Sequence, residues 1–288
     1  MLERIDRVQM AVPDRGEAAE GWVALLRAEH EGDDRVAGLG ARRSTYRLGA
    51  GRIELLEPDG AGAIADAMAT RGSHLFAAGA STADLEALRS RLAGRGVDAP
   101  LEGGQIHLDP AATGGNGLRV VVSEGAPSEP VGSVDFLYEV TNLVRDAKAA
   151  VDDCVQLFGL DAAAFVPIDS AHYGYDGTLT LFDPDRLDRF EVITPRIAGN
   201  TMGRFFGRLG GSLYMAFAET GEIPAIEERA RERGVGFTAE PAAEKREGRA
   251  AGTLFLHPPA LGGMMLGLSR RSWAWRWSGR PDRVEEVT

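Results

Sequence analysis

The sequence predicts an α+β protein of four βαβββ modules in two tandem halves. Three observations carry this. A short apolar strand bearing one glutamate and ending at proline occurs twice, as Gly51-Arg52-Ile53-Glu54-Leu55-Leu56-Glu57-Pro58 and as Phe190-Glu191-Val192-Ile193-Thr194-Pro195. Each copy is followed, after a link, by Gly-Ser and a new apolar strand: Gly72-Ser73-His74-Leu75-Phe76 and Gly211-Ser212-Leu213-Tyr214-Met215. Between these landmarks, strand-type alternation and helix-type spacing recur in one order, and such internal repetition governs the fold.

The first module opens with an alternating strand at 4–12, stopped by Pro13-Asp14. Ala18, Trp22, Leu25 and Leu26 then recur at helical spacing over 15–28. Strands near 34–39 and 43–48 lead to the Glu54 strand. The second module has a strand at 73–80 and a helix opened by Ser81-Thr82-Ala83-Asp84 and closed at Arg95-Gly96. Strands near 97–100, 105–109 and 117–123 complete it. Residues 125–131 are a linker by composition. The third module runs through a strand at 134–140, a helix at 144–158, strands near 163–168 and 177–183, and the Glu191 strand. The fourth has a strand at 212–219, a helix at 222–233 and strands near 252–257 and 264–270. The expected domains are therefore 1–124 and 132–271, followed by a Trp-rich tail at 272–288. Within that tail Trp273, Trp275 and Trp277 alternate, which places three indoles on one face of an extended segment. That face would pack on the body or on a partner subunit, or stack on a ligand.

Composition bounds the function. The chain has 288 residues, 44% hydrophobic and 26% charged, with a formal net charge of −11. The acidic balance argues against nucleic acid as a partner, because phosphate contacts need a basic surface. No run approaches the length of a membrane span, and the opening Met1-Leu2-Glu3-Arg4-Ile5-Asp6-Arg7 lacks a signal-type apolar core. The single cysteine, Cys154, allows no intrachain disulfide and no thiolate cluster, which fits a cytoplasmic protein. Cys154 lies among Val151 and Leu157 and reads as a small core residue.

Ile5-Asp6-Arg7-Val8 opening the first module, Glu54-Leu55-Leu56-Glu57-Pro58 closing it, Gly72-Ser73-His74-Leu75 opening the second, and Phe255-Leu256-His257-Pro258 with Gly262-Gly263 near the end resemble the vicinal oxygen chelate superfamily. That group includes glyoxalases, methylmalonyl-CoA epimerases, extradiol dioxygenases and bleomycin-type resistance proteins. The resemblance covers about residues 3–270. It implies two tandem glyoxalase-like domains, each a curved-sheet cup, with one divalent metal per cup held from the first and last strands of each module. The matching positions here are Arg7, Glu54, His74 and Val121, then Phe136, Glu191, Leu213 and Gly267. The ligand set is incomplete, and its metal candidates are Glu54, His74 and Glu191. A divalent metal cofactor stays open on these grounds.

Strand alternation groups the remaining candidates. In the first cup it gathers Arg7, Gln9, Glu54, His74 and Arg119. Either Arg7 stands in for a metal and neutralises Glu54, or the arginines grip a substrate carboxylate while Glu54 or His74 moves a proton. In the second cup it places Phe136, Tyr138, Leu213, Met215 and Phe217 around Glu191, an apolar pocket with one carboxylate of raised pKa. His172, Tyr173 and Tyr175, flanked by Gly174 and Gly177, form a candidate flap at its mouth. The second cup is the favoured one. His107 and His257 fall in hairpins, and His30 at a helix end.

The expected function is an isomerase, epimerase or lyase acting on a small oxygenated substrate by proton abstraction next to a carbonyl. A metal-dependent ring-cleaving dioxygenase and a non-catalytic small-molecule binding or resistance protein are the alternatives. A homodimer is a further open expectation.

Overall fold

The structure, a computed structural model, describes residues 1–246 and 248–285. It contains two eight-stranded sheets of the same topology. The first module supplies β1 (Leu2–Ala11), α1 (Arg15–Leu26), β2 (Glu29–Val36), β3 (Ala41–Leu48) and β4 (Gly51–Pro58). After α2 (Ala63–Arg71), the second supplies β5 (His74–Thr82), α3 (Leu85–Ala93), β6 (Leu101–Glu102), β7 (Gln105–Leu108) and β8 (Val120–Glu124). The second half repeats this with β9 (Phe136–Leu143), α4 (Ala147–Phe158), β10 (Val166–Ser170), β11 (Tyr175–Leu181), β12 (Arg189–Pro195) and α5 (Thr201–Leu209). It ends with β13 (Ser212–Thr220), α6 (Ile223–Glu232), β14 (Phe237–Glu240), β15 (Thr253–Leu256) and β16 (Met265–Arg270). The strand orders are β2-β3-β4-β1-β5-β8-β7-β6 and β10-β11-β12-β9-β13-β16-β15-β14.

The opening strand of each module lies at the centre of its sheet, antiparallel to its counterpart and parallel to its own module's last strand. Three module helices start at an aspartate placed just after the opening strand. Asp14, Asp84 and Asp146 each accept from the backbone N–H three residues on, which satisfies one orphan donor of the helix. One core spans both halves, with Trp22, Leu25, Phe158, Phe190 and Ile226 in a single cluster. Helices meet across the junction: Arg229 of α6 donates to the Leu25 carbonyl at 2.8 Å, and Arg91 of α3 to the Leu157 carbonyl at 3.0 Å. Gly21 permits the closest approach, since a Cβ there would stand 1.7 Å from the Ala260 carbonyl oxygen.

Each sheet curls until its edges meet. In the first half the backbone N–H groups of Ala37 and Gly38, after β2, donate to Glu102 of β6. In the second, Tyr173 before β11 donates its hydroxyl to Glu240 of β14 at 2.6 Å. The enclosed faces are the two cups.

Several expected details shift. No strand forms at 97–100, and the links before the second and fourth modules contain helices, α2 and α5. His30 lies in β2, stacked edge-on against Tyr46, not at a helix end. The tail is not extended. Trp273–Arg276 form a short 3-10 turn, and its indoles part company. Trp275 and Trp277 pack with Phe136, Tyr138, Leu187 and Phe217 over the second cup. Trp273 is flanked instead by the guanidinium groups of Arg270 and Arg276. The last three residues of the expected tail, 286–288, lie outside the described residues. Among the described residues no helix is long and apolar enough to cross a membrane. Cys154 is buried in α4, and burial pushes its thiol up to about 12.

Candidate functional site

The first cup is filled by a polar network centred on Glu54. Its Oε1 accepts from Arg7 Nη1 and Gln105 Nε2, each at 2.7 Å. Its Oε2 accepts from Gln9 Nε2 at 2.7 Å and Arg43 Nη1 at 3.4 Å. Arg7 also holds Asp6 and Ser123, and Arg43 also holds Asp34 and the side-chain Oε1 of Gln105. Gly79 makes room for Arg7, whose Cγ would stand 1.9 Å from a Cβ at that position. Burial would raise the Glu54 pKa, but Arg7 and Arg43 and the two amides outweigh it and hold the carboxyl below its usual range. Glu54 is an ionised, fully satisfied group.

His74 and Arg119 share this cup but not this network. His74 Nδ1 bonds the Gly72 carbonyl at 2.7 Å, and Arg119 lies over the Phe76 ring at 4.4 Å. No hydrogen bond or ion pair joins either to Glu54 among the described residues. Burial depresses His74 to about 4, and likewise His107.

The second cup differs. Glu139 and Arg189, on neighbouring strands β9 and β12, form an ion pair of 2.6 Å with side chains 1% and 0% exposed. The Arg189 guanidinium lies 4.9 Å from the Tyr138 ring centre, and its Nη2 is buried without a partner. Beside this pair, Glu191 Oε2 accepts from Thr141 Oγ1 at 2.6 Å. Burial first, and then the Glu139 charge, push Glu191 up to about 8, partly offset by Thr141, Arg189 and the Tyr175 phenol. Two carboxyls sharing one dry pocket and one guanidinium do not both ionise. Glu139, bonded directly to Arg189, takes the charge, and Glu191 keeps its proton at neutral pH. Around them Phe136, Tyr138, Phe217 and Phe255 form a chain of ring contacts 5.8–6.3 Å apart.

Other candidates are dispersed. Met215 pairs with Thr141 in the wall beside Glu191. Leu213, expected beside it, lies in the main core on the other face of the sheet. The cause is a bulge: Leu213 pairs with Asn142 and Met215 with Thr141, leaving Tyr214 unpaired and breaking the alternation. Only Tyr175 of the flap trio reaches Glu191. His172 is exposed and edges against Tyr173, whose hydroxyl is taken by Glu240. The segment is pinned, since Asn200 Nδ2 donates to the Tyr173 carbonyl and Arg196 N to the Gly174 carbonyl, each at 2.7 Å. His257 Nε2 bonds Thr238 Oγ1 within its hairpin.

Sequence reasoning missed Glu139, Thr141 and Arg189. A second bulge, at Tyr138, sends both Tyr138 and Glu139 to the cup side and puts Thr141 there in place of Val140. Arg189 had a usable signal, because it stands two residues before Glu191 on one strand and so shares its face. The Glu54 donors Arg43 and Gln105 were missed for lack of any local mark.

A family-type metal does not fit either cup. In the first, both Glu54 oxygens are occupied and the Arg7 guanidinium fills an adjacent ligand position. In the second, Phe136, Leu213 and Gly267 offer no donor atom. No group of three His, Cys, Asp or Glu able to hold a metal occurs among the described residues.

No family model and no curated protein sequence matches the chain. Solved structures do. A triple mutant of 4-hydroxymandelate synthase from Streptomyces coelicolor superposes with a TM-score of 0.71, at 14% identity, over 99% of this chain and 100% of that one. The fold is that of the vicinal oxygen chelate superfamily. A xylose isomerase-like TIM barrel/4-hydroxyphenylpyruvate dioxygenase fusion protein matches with a TM-score of 0.60 at 11% identity, over 94% of this chain and 49% of that one. Methylmalonyl-CoA epimerase from Mycobacterium tuberculosis matches 48% of the chain at 20% identity, with a TM-score of 0.40 over 88% of its own length. This chain carries both cups, and in the first of them Arg7 occupies a position where the resemblance implies a metal ligand.

Proposed function

We propose that the chain is an enzyme of the vicinal oxygen chelate fold that moves a proton at a carbon next to a carbonyl, with the second cup as its active site. It would act as an isomerase, epimerase or lyase on a small oxygenated substrate, without a metal. The observation that supports this reading is Glu191, enclosed beside a second carboxyl and held to about 8. A carboxylate of that basicity is a far stronger base than an exposed one. Deprotonated Glu191 takes the proton, the C–H electron pair forms a carbon–carbon double bond as the carbonyl π pair moves onto oxygen, and the Tyr175 phenol and the free Arg189 Nη2 would face the developing charge. Glu191 then returns the proton. The aromatic wall would seat an apolar or aromatic substituent. Two similar structures carry the names 4-hydroxymandelate synthase and 4-hydroxyphenylpyruvate dioxygenase, which fits a small oxygenated aromatic acid.

The test uses 4-hydroxyphenylpyruvate as probe. In deuterium oxide, the protein should speed loss of the proton signal next to the keto group above the buffer rate, measured by NMR. Glu191→Gln should return the rate to that of buffer. Equal rates with and without protein would remove this activity. A second reading, sequestration without chemistry, rests on the closure of the cup by Trp275 and Trp277. It predicts probe binding with no exchange.

A further inference from the structure

We propose that Arg71, His74 and Arg119, outside the Glu54 network of the first cup, form a binding site for a small hydroxy-carboxylate with an apolar substituent. Arg119 and His74 both face the Phe76 ring, the guanidinium carbon at 4.4 Å and the imidazole centre at 6.3 Å. Arg71 ends α2 beside them, and its Nε is buried with no hydrogen-bond partner. Arg71 and Arg119 both raise the local positive potential at His74, and Arg208 of α5 adds to it at Arg71.

This cluster lacks what the other enclosed arginines have. Arg7, Arg43, Arg189 and Arg246 are buried, and each is ion-paired to a glutamate. Neither Arg71 nor Arg119 forms an ion pair among the described residues, although the chain carries 43 acidic against 32 basic side chains. Among the described residues Asp109 is the acid whose charge bears on Arg119. Half-buried cations without a counter-charge are costly unless an anion completes them. Guanidinium groups match a carboxylate with paired N–H bonds.

The imidazole narrows the ligand. The Gly72 carbonyl can only accept, so His74 carries its proton on Nδ1. Among the described residues its Nε2 has no protein partner, and it is left as an acceptor. A carboxylate alone cannot donate to it, whereas a hydroxyl on the neighbouring carbon can. Phe76, Val121 and Met68 belong to one small apolar cluster and would take an apolar substituent. The inference concerns the first cup and does not depend on proton transfer in the second.

Mandelate and phenylacetate, which differ by that hydroxyl, test it in calorimetric titrations of the full chain. Mandelate should bind tighter than phenylacetate. Arg119→Gln should weaken mandelate about tenfold or more, the usual loss for a charge-assisted contact. His74→Phe keeps the ring and removes the acceptor, so it should abolish the preference for mandelate while leaving phenylacetate binding intact. Binding in the second cup would be unmoved by both substitutions, which separates the two cups. Absence of mandelate binding, or binding unmoved by both Arg119→Gln and His74→Phe, would overturn the proposal. Inorganic phosphate displacing mandelate at equal concentration would overturn the hydroxy-carboxylate assignment.

Discussion

The two cups are one scaffold with opposite treatments of the same glutamate. Glu54 and Glu191 occupy equivalent last strands, each parallel to its module's opening strand. Around Glu54 the first cup gathers two guanidinium groups and two amides, and the carboxyl is ionised and saturated. Around Glu191 the second cup supplies Thr141 and Tyr175 and spends its guanidinium on Glu139. Burial is similar in both places, so burial alone does not make a reactive carboxyl. What separates the cups is where the arginine bonds. A carboxylate locked by cations supports the fold, and one left beside a competing carboxyl keeps a proton it can move.

The largest effect should come from unlocking the first cup. Arg7→Met leaves Glu54 buried without its main counter-charge, which costs about 3–5 kcal/mol. Arg189→Met removes the cation from the second cup, but there the cost should be nearer 1–3 kcal/mol. Burial already raises the pKa of Glu139, so it can take a proton when its partner goes. Urea unfolding at neutral pH checks the order, and equal losses would erase the contrast between the cups.

The pH dependence should differ in sign. Glu191 is raised from 4.5 to about 8 in the folded state. The native chain then binds more protons than the unfolded one between these values, so this group lowers stability as pH rises through that window. Glu54 is held below its ordinary value, so its contribution is present above about 4.5 and is lost as pH falls below it. Glu191→Gln should flatten the decline between pH 5 and pH 8 by on the order of 1–3 kcal/mol. Chemical unfolding at both pH values would show it, and an unchanged slope would mean that Glu191 is ionised in the native state.

Much of this was legible beforehand. The repeated Glu strands and the Gly-Ser restarts gave the module order, because each is a local mark with a local cause. The face assignments failed where the sheet bulges. Tyr138 and Tyr214 are extra residues in otherwise regular pairs, and neither looks different in sequence from its neighbours. One such residue moved Leu213 into the core, and the other brought Glu139 and Thr141 to the cup. Long-range partners were also invisible: Gln105 lies 51 residues from Glu54, and only closure of the sheet joins them. The tail misled because alternating tryptophans suit a strand, while the chain turns to cap the second cup.

The smallest expected effect concerns how each cup is clasped. Glu102 joins the edges of the first through two backbone N–H groups, while Tyr173 joins those of the second through one hydroxyl to Glu240. Tyr173 is 37% exposed, so water replaces the lost bond easily. Tyr173→Phe should therefore cost only about 0.5 kcal/mol. Its consequence should be local. With the clasp gone, amides of β14 and of the turn before β11 should exchange with solvent faster, while those of β6 and β7 stay as they were. Glu102→Ala should do the reverse and cost more, because it strands two donors. Hydrogen exchange resolved by segment decides the matter: if Tyr173→Phe quickens exchange in both cups alike, the sheets open together and the second cup has no separate way in.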